Sequence, residues 1–199
     1  MPAKYITTLA DPDQLPELIK KGFLLGHAQS RIAFVGRSNV GKSSLINALT
    51  QQTIARVSAT PGKTRAIHFF LWDRTDKIVA DLPGYGFARV AKTDMRDWSK
   101  LLDAYFTADS NLEMVMVLFD SRHGPTDQDL EALEFFISKQ IPLQIIMTKF
   151  DQLKTQSERA KRKREVEAAL EPYSFTDENI IWISVKDQKG LEFMRKALE

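Results

Sequence analysis

Apolar residues along the chain fall into two kinds of run. "RIAFV" (31–35), "MVMVLFD" (114–120), "LQIIMT" (143–148) and "NIIWIS" (179–184) are short and almost unbroken, as expected of strands covered on both faces. Between them the apolar positions recur at helical spacing: over 42–49, with Leu45, Ile46 and Leu49 on one face, then over 94–106, 127–139, a basic segment ending near Leu170, and 191–198. "AIHFFLW" (66–72) and "KIVAD" (77–81) flank a polar "DRTD" and read as a hairpin, so one of its strands must run against the others. Residues 1–30 hold Pro2, Pro12 and Pro16 and one short helical stretch, "LPELIKKGF". They are expected to form an N-terminal extension packing on a domain of residues 31–199. Strands alternating with helices predict an α/β, three-layer architecture: a mostly parallel six-stranded sheet with one antiparallel strand and helices on both faces. Ligands of such a sheet bind at the carboxyl ends of the strands.

Composition narrows the class. At 199 residues without an internal repeat the chain predicts one domain, and 43% hydrophobic with 27% charged residues is ordinary globular usage. No apolar run approaches the roughly 20 residues that span a bilayer, and the N-terminus lacks the order of a secretory signal. With no cysteine there are no disulfides or thiolate metal sites, and the three histidines have no zinc spacing. A cytoplasmic protein without a membrane partner is expected. The net charge of +2 says little about partners. The local run "ERAKRKREVE", with Arg159, Lys161, Arg162, Lys163 and Arg164, reads either as a solvated helix face of Glu/Lys/Arg pairs or as a patch for RNA phosphates.

The chemistry sits at strand ends. "GRSNVGKS" (Gly36, Arg37, Ser38, Asn39, Val40, Gly41, Lys42, Ser43) follows a strand and opens a helix, the setting of a phosphate-binding loop. Its backbone N–H groups wrap phosphates, Lys42 neutralises the outer ones, and the Ser43 hydroxyl suits magnesium. Gly36 and Gly41 are read as leaving room for the backbone's approach. "DLPG" (Asp81, Leu82, Pro83, Gly84) ends a strand where a carboxylate can hold magnesium through water and a glycine N–H can meet the terminal phosphate. Alone this is a weak turn signal; after a phosphate loop it is a strong one. In "TKFD" (Thr148, Lys149, Phe150, Asp151) the Asp151 carboxylate can accept from the ring N–H and exocyclic amine of guanine. Adenine offers no such pairing, so GTP is favoured over ATP. Lys149 can lay its stem along the purine, and Ser184 of "ISV" (Ile183, Ser184, Val185), with neighbouring backbone, can touch the guanine oxygen.

The order of these motifs resembles the translation-factor-like class of small GTPases. More narrowly, "GRSNVGKSSLINAL", "TPGKTR", "DLPGYGFA", "DSRHGPTDQD" and "TKFD" resemble the EngB (YihA/YsxC) family of bacterial GTP-binding proteins, from about Leu24 to the C-terminus. The resemblance implies a Ras-like P-loop GTPase fold, guanine nucleotide and magnesium binding, and a role in assembling the large ribosomal subunit, with a linked requirement for division and septation. It places the first switch at Gly62, Lys63, Thr64, Arg65 and Ala66, with Thr64 a second hydroxyl ligand of magnesium beside Ser43 and the water-mediated Asp81. It makes residues 81–84 the second switch and Ile183, Ser184 and Val185 the closure of the base pocket. Phe150 stands where a small residue is usual, and Val185 with Lys186 where a small polar pair is usual; Phe150 either packs under the strand end or crowds the pocket.

Where Ras-like enzymes carry a glutamine that orients water, this chain has Tyr85, so slow intrinsic hydrolysis is expected, with Tyr85–Val90 a mobile segment and Lys42, Thr64, Gly84 and Asn39 the catalytic set. In related GTPases an asparagine at the position of Asn39 helps hold a potassium ion, which makes potassium a candidate cofactor; Arg37, Arg89 and Lys63 are the alternative nearby cations. The leading reading is a monomeric GTP-driven assembly switch whose partner is the large ribosomal subunit or its RNA, and not DNA. A binding module with a structural nucleotide and a P-loop phosphotransferase are the alternatives.

Overall fold

The computed structural model describes residues 3–21, 30–55, 66–86 and 92–198. Seven strands form one sheet: β1 (Ala3–Leu9), β2 (Arg31–Gly36), β3 (Ile67–Trp72), β4 (Lys77–Asp81), β5 (Leu112–Asp120), β6 (Leu143–Thr148) and β7 (Ile180–Trp182), in the order β1-β3-β4-β2-β5-β6-β7. Only β3 is reversed, pairing antiparallel with both β1 and β4, while the pairs from β4 to β7 are parallel.

The sheet thus has seven strands where the hydrophobic pattern predicts six, and the extra one is β1. Its two ends, Ala3 and Leu9, are buried, but Lys4, Tyr5 and Ile6 between them are exposed. A strand with no continuous apolar stripe gives no periodic signal; backbone pairing along β3, from Ala3 opposite Trp72 to Leu9 opposite Ile67, holds it on the edge.

Among the described residues six α-helices form: α1 (Leu15–Lys20), α2 (Lys42–Thr50), α3 (Lys92–Ala108), α4 (Asp127–Ser138), α5 (Gln156–Leu170) and α6 (Leu191–Leu198). The pleat of the central strands sorts their side chains into two cores. Ala33, Val35, Val115, Val117 and Phe119 face Leu15 of α1, Leu101, Leu102 and Tyr105 of α3, Leu133 and Phe136 of α4, and Val166 and Leu170 of α5. Ile32, Phe34, Met116 and Leu118 face Leu45, Ile46 and Leu49 of α2 and Leu191, Met194 and Leu198 of α6. α2 and α6 have 9 and 8 residues, too short to persist alone, so the burial of three apolar side chains from each, about 1.5–3 kcal/mol apiece, holds them in place.

At the amino end of β2, Arg31 and Asp109 form an ion pair of 2.9 Å with both side chains fully buried. At the opposite end the chain leaves β4, β2, β5, β6 and β7, side by side, into the segments that carry the chemistry.

Candidate functional site

The loop after β2 is shaped for an anion. Asn39 and Gly41 both take positive φ, 63° and 108°, and Gly41 is the cap residue of α2. α4 and α5 each begin with a capping box, Thr126 with Asp129 and Thr155 with Glu158, whereas no side chain caps α2. Its first N–H groups are therefore left to a ligand, and the helix dipole favours a negative one. The two loop glycines serve different ends. A Cβ on Gly36 would lie 2.9 Å from the Leu118 carbonyl, but one on Gly41 would meet nothing closer than 3.9 Å, so Gly41 is required by its φ and not by crowding.

Asp81 ends β4 beside this loop. Its carboxylate is buried and accepts from the Lys42 ammonium. Gly84 closes on the loop so tightly that a Cβ there would sit 3.0 Å from the Gly36 carbonyl and 3.4 Å from the Ser38 N–H. The contact continues into Tyr85, whose carbonyl accepts from the Ser38 N–H at 3.1 Å. Pro83 is fixed from the other side, its carbonyl accepting from Trp98 Nε1 at 2.9 Å.

Tyr85 departs from expectation. It is not part of a mobile segment: its ring is 7% exposed, lies edge-on to Trp98 at 6.2 Å, and its hydroxyl donates to Asp129 Oδ1 at 3.0 Å. Burial, then the neighbouring Asp129 carboxylate, raises the phenol well above its ordinary range, so it stays protonated as a donor. The side chain points into the core against α3 and α4, which is why no water-orienting group follows Gly84. Residues 87–90, and with them Arg89, lie outside the described residues, as do Gly62, Lys63, Thr64 and Arg65; Ala66 is described, half-buried just before β3.

The segment Thr148–Asp151 is tied directly to the phosphate loop. Thr148 Oγ1 donates to the Val40 carbonyl at 2.7 Å, and Lys149, at φ 56°, reaches the Asn39 carbonyl with Nζ at 2.6 Å. Asp151 lies at the next turn, with Ser184 Oγ on Oδ1 at 3.0 Å and Gln152 Nε2 on Oδ2 at 2.6 Å. Partial burial works against its ionisation, but the Ser184 and Gln152 donors prevail and hold the carboxyl below its usual value, which keeps it an acceptor. Ser184 is 1% exposed, and its hydroxyl donates to Asp151 and accepts from the Asp187 N–H at 3.0 Å. Ile183 is fully buried, its N–H and carbonyl bonded to Met147 and Phe150; Val185 is half-buried, its carbonyl accepting from Gln188. Phe150 packs under the strand end, 4% exposed, against Trp182 at 5.3 Å and between the cations of Arg159 and Lys189.

Two residues that lie within quoted motifs but were assigned no role of their own complete the frame. Asp120, at the end of β5, accepts from Lys149 Nζ at 2.9 Å and from Arg122. Asn47 accepts from the Ile54 and Ala55 N–H groups through Oδ1 and donates to the Ala55 carbonyl, fixing the chain after α2. Arg37 reaches Thr126 Oγ1 at 3.5 Å, and no other hydrogen bond of its guanidinium is described. Among the described residues no group of three or more His, Cys, Asp or Glu could hold a metal. The Ser43 hydroxyl and Asp81 carboxylate offer the hard oxygen donors that magnesium takes when phosphates supply the remainder, so these residues fit that ion.

A family model described as a 50S ribosome-binding GTPase matches residues 31–149. The GTP-binding protein EngB of Clostridium kluyveri is 37% identical over 198 residues, covering 99% of this chain and 94% of its own length. The chain belongs to the EngB family. The EngB protein of Thermotoga maritima is 48% identical over 145 residues, 73% of each chain. An EngB crystal structure superposes with a TM-score of 0.63 at 25% identity, over 84% of this chain and 95% of that one. The GTPase Era of Aquifex aeolicus, bound to GDP and AlF4−, gives 0.66 over 84% of this chain and 55% of its own, at 21% identity, a likeness of fold. As an EngB family member with a P-loop fold the chain is a GTPase that binds GTP and GDP. Among the described residues no helix is long and apolar enough to cross a membrane.

Proposed function

We propose that this chain is a cytoplasmic, monomeric GTP-driven switch in assembly of the large ribosomal subunit, with a consequent requirement in cell division and septation. Residues 31–199 act as the GTPase domain and residues 1–30 as its N-terminal extension. The observation that carries the reading is the pair of hydrogen bonds joining the base reader to the phosphate loop, Thr148 to Val40 and Lys149 to Asn39. They make one continuous site for a ligand with both a purine and a phosphate chain. The ribosomal half of the reading is supported by the family model's description.

Residues 36–43 take the phosphates, Asp151 the guanine, and Lys149 the purine face. Ser43, Thr64 and, through water, Asp81 would hold magnesium, which would supply charge neutralisation at the phosphates. Gly84 meets the terminal phosphate with its N–H, and its contact with Gly36 and Ser38 makes the 81–84 segment responsive to what the loop holds. Intrinsic hydrolysis is slow, well under about 10 per second. Asn39 would help hold a potassium ion, which would supply positive charge beside the phosphates and accelerate hydrolysis. Fast single-turnover hydrolysis by the isolated protein would refute the first statement; equal rates in sodium and potassium for wild type and Asn39→Ala would refute the second.

In the basic run of α5, Lys161 and Arg162 share Glu165 one turn on, and Lys163 pairs with Asp177 beyond the helix. This favours a solvated helix face over an RNA patch. The switch itself is tested by pelleting the protein with large ribosomal particles in GDP and in a non-hydrolysable GTP analogue. Preferential binding in the analogue is expected, and equal binding would leave a module whose nucleotide is structural.

A further inference from the structure

We infer that Asp120 is a positioning residue for guanine nucleotide, acting through Lys149; this rests on the nucleotide site proposed above. Asp120 closes β5 and pairs in register with Thr148, the last residue of β6, so its side chain emerges beside the base reader. The carboxylate side chain is 6% exposed and receives two cations. On one side Arg122 donates through Nε to Oδ1 at 3.0 Å and through Nη2 to Oδ2 at 2.7 Å, with the Arg122 N–H adding a third bond at 3.0 Å. On the other, Lys149 Nζ donates to Oδ2 at 2.9 Å.

Lys149 therefore stands between two fixed acceptors, the Asn39 carbonyl of the phosphate loop and the Asp120 carboxylate. A lysine carries four rotatable carbons and three donors, and one backbone acceptor would leave its stem free to sample other rotamers. The second, charged acceptor holds the ammonium at a single place, which stretches the stem across the base side of the site before the purine arrives. Ordering that is complete before binding does not have to be supplied by the ligand.

Asp120 is suited to this because it is itself immobilised. Arg122 takes the carboxylate in a two-pronged grip, and α5 holds the loop in turn, Arg162 donating to the Arg122 and His123 carbonyls at 2.9 and 2.8 Å. Burial opposes ionisation of Asp120, but the Arg122 and Lys149 bonds outweigh it and push the carboxyl down to about 2, so the anchor keeps its charge at any working pH.

The test is a double-mutant cycle on GDP and GTP affinity, read with fluorescent nucleotides. Asp120→Ala is expected to weaken both nucleotides by about 10- to 100-fold, the scale of a lost hydrogen bond to a charged group. Because the base side is shared, the GTP-to-GDP ratio should hold. In a Lys149→Ala background the same change should cost less than about twofold. Asp120→Asn, nearly isosteric, serves if the alanine variant does not fold, and is expected to fall between. An equal loss with and without Lys149, or no loss in the wild-type background, would overturn the inference. Failure of the wild-type protein to prefer guanine over adenine nucleotides would instead reject the site on which it rests.

Discussion

The most direct probe of the segment after Gly84 is Tyr85→Phe, which deletes one oxygen and keeps the ring. The hydroxyl donates to Asp129 Oδ1 at 3.0 Å inside the core, while Oδ2 accepts from the Thr126 N–H at 2.9 Å and Thr126 Oγ1 at 2.7 Å. The variant thus leaves Oδ1 without its buried donor but keeps the capping box of α4. Hydrogen bonds to carboxylates contribute about 1.5–3 kcal/mol, and the edge-on contact with Trp98 persists, so a loss of about 2 kcal/mol is expected. With a urea slope of about 2 kcal/mol per molar, the unfolding midpoint should fall by about 1 M at fixed GDP concentration. Single-turnover hydrolysis of bound GTP should stay within about twofold of wild type, because the hydroxyl faces α4 and not the phosphate loop. A tenfold fall in hydrolysis with an unchanged midpoint would refute this and place the phenol at the reacting phosphate.

Asp109→Asn should destabilise the fold by about 3–5 kcal/mol, since the buried Arg31 loses its countercharge, yet leave GDP affinity unchanged because the pair lies at the far end of β2; denaturant unfolding and nucleotide titration read the two effects. Asp120 has a folded carboxyl near 2 against an ordinary 3.8, so its stabilisation is present above pH 3.8 and lost as pH falls toward 2. Wild type should therefore exceed Asp120→Asn by about 2 kcal/mol at pH 6 and by about half of that at pH 3, in urea unfolding at each pH.

The phosphate loop was legible because its chemistry is local. Strand, glycine loop and helix follow within a dozen residues, and backbone N–H groups do the work, so spacing alone carries the information. The central strands were legible for a related reason: burial on both faces writes an unbroken apolar run. β1 wrote no such run, since it sits on the edge and finds its partner β3 some sixty residues on. Tyr85 was misread because its position next to Gly84 marks a switch, while its destination, Asp129, is 44 residues away. Ser184 and Asp120 are of the same kind. The sequence marks both positions but not their partners, which the parallel sheet brings beside them from another strand end, Asp151 for Ser184 and Lys149 for Asp120.

That juxtaposition also divides the site's two lysines by what a nucleotide must do to them. Lys42 is paired with Asp81, the carboxylate proposed for magnesium, so phosphates that drew on the lysine would release the acid in the same act. Lys149 is paired with Asp120, which Arg122 also holds, so on the proposed reading a purine lying along the lysine's stem would leave that ion pair in place. The phosphate side is built to rearrange and the base side to stay fixed. On that proposal the site would bind GDP and GTP through its base half and distinguish them at Gly84, where even an added Cβ would come within 3.0 Å of the Gly36 carbonyl.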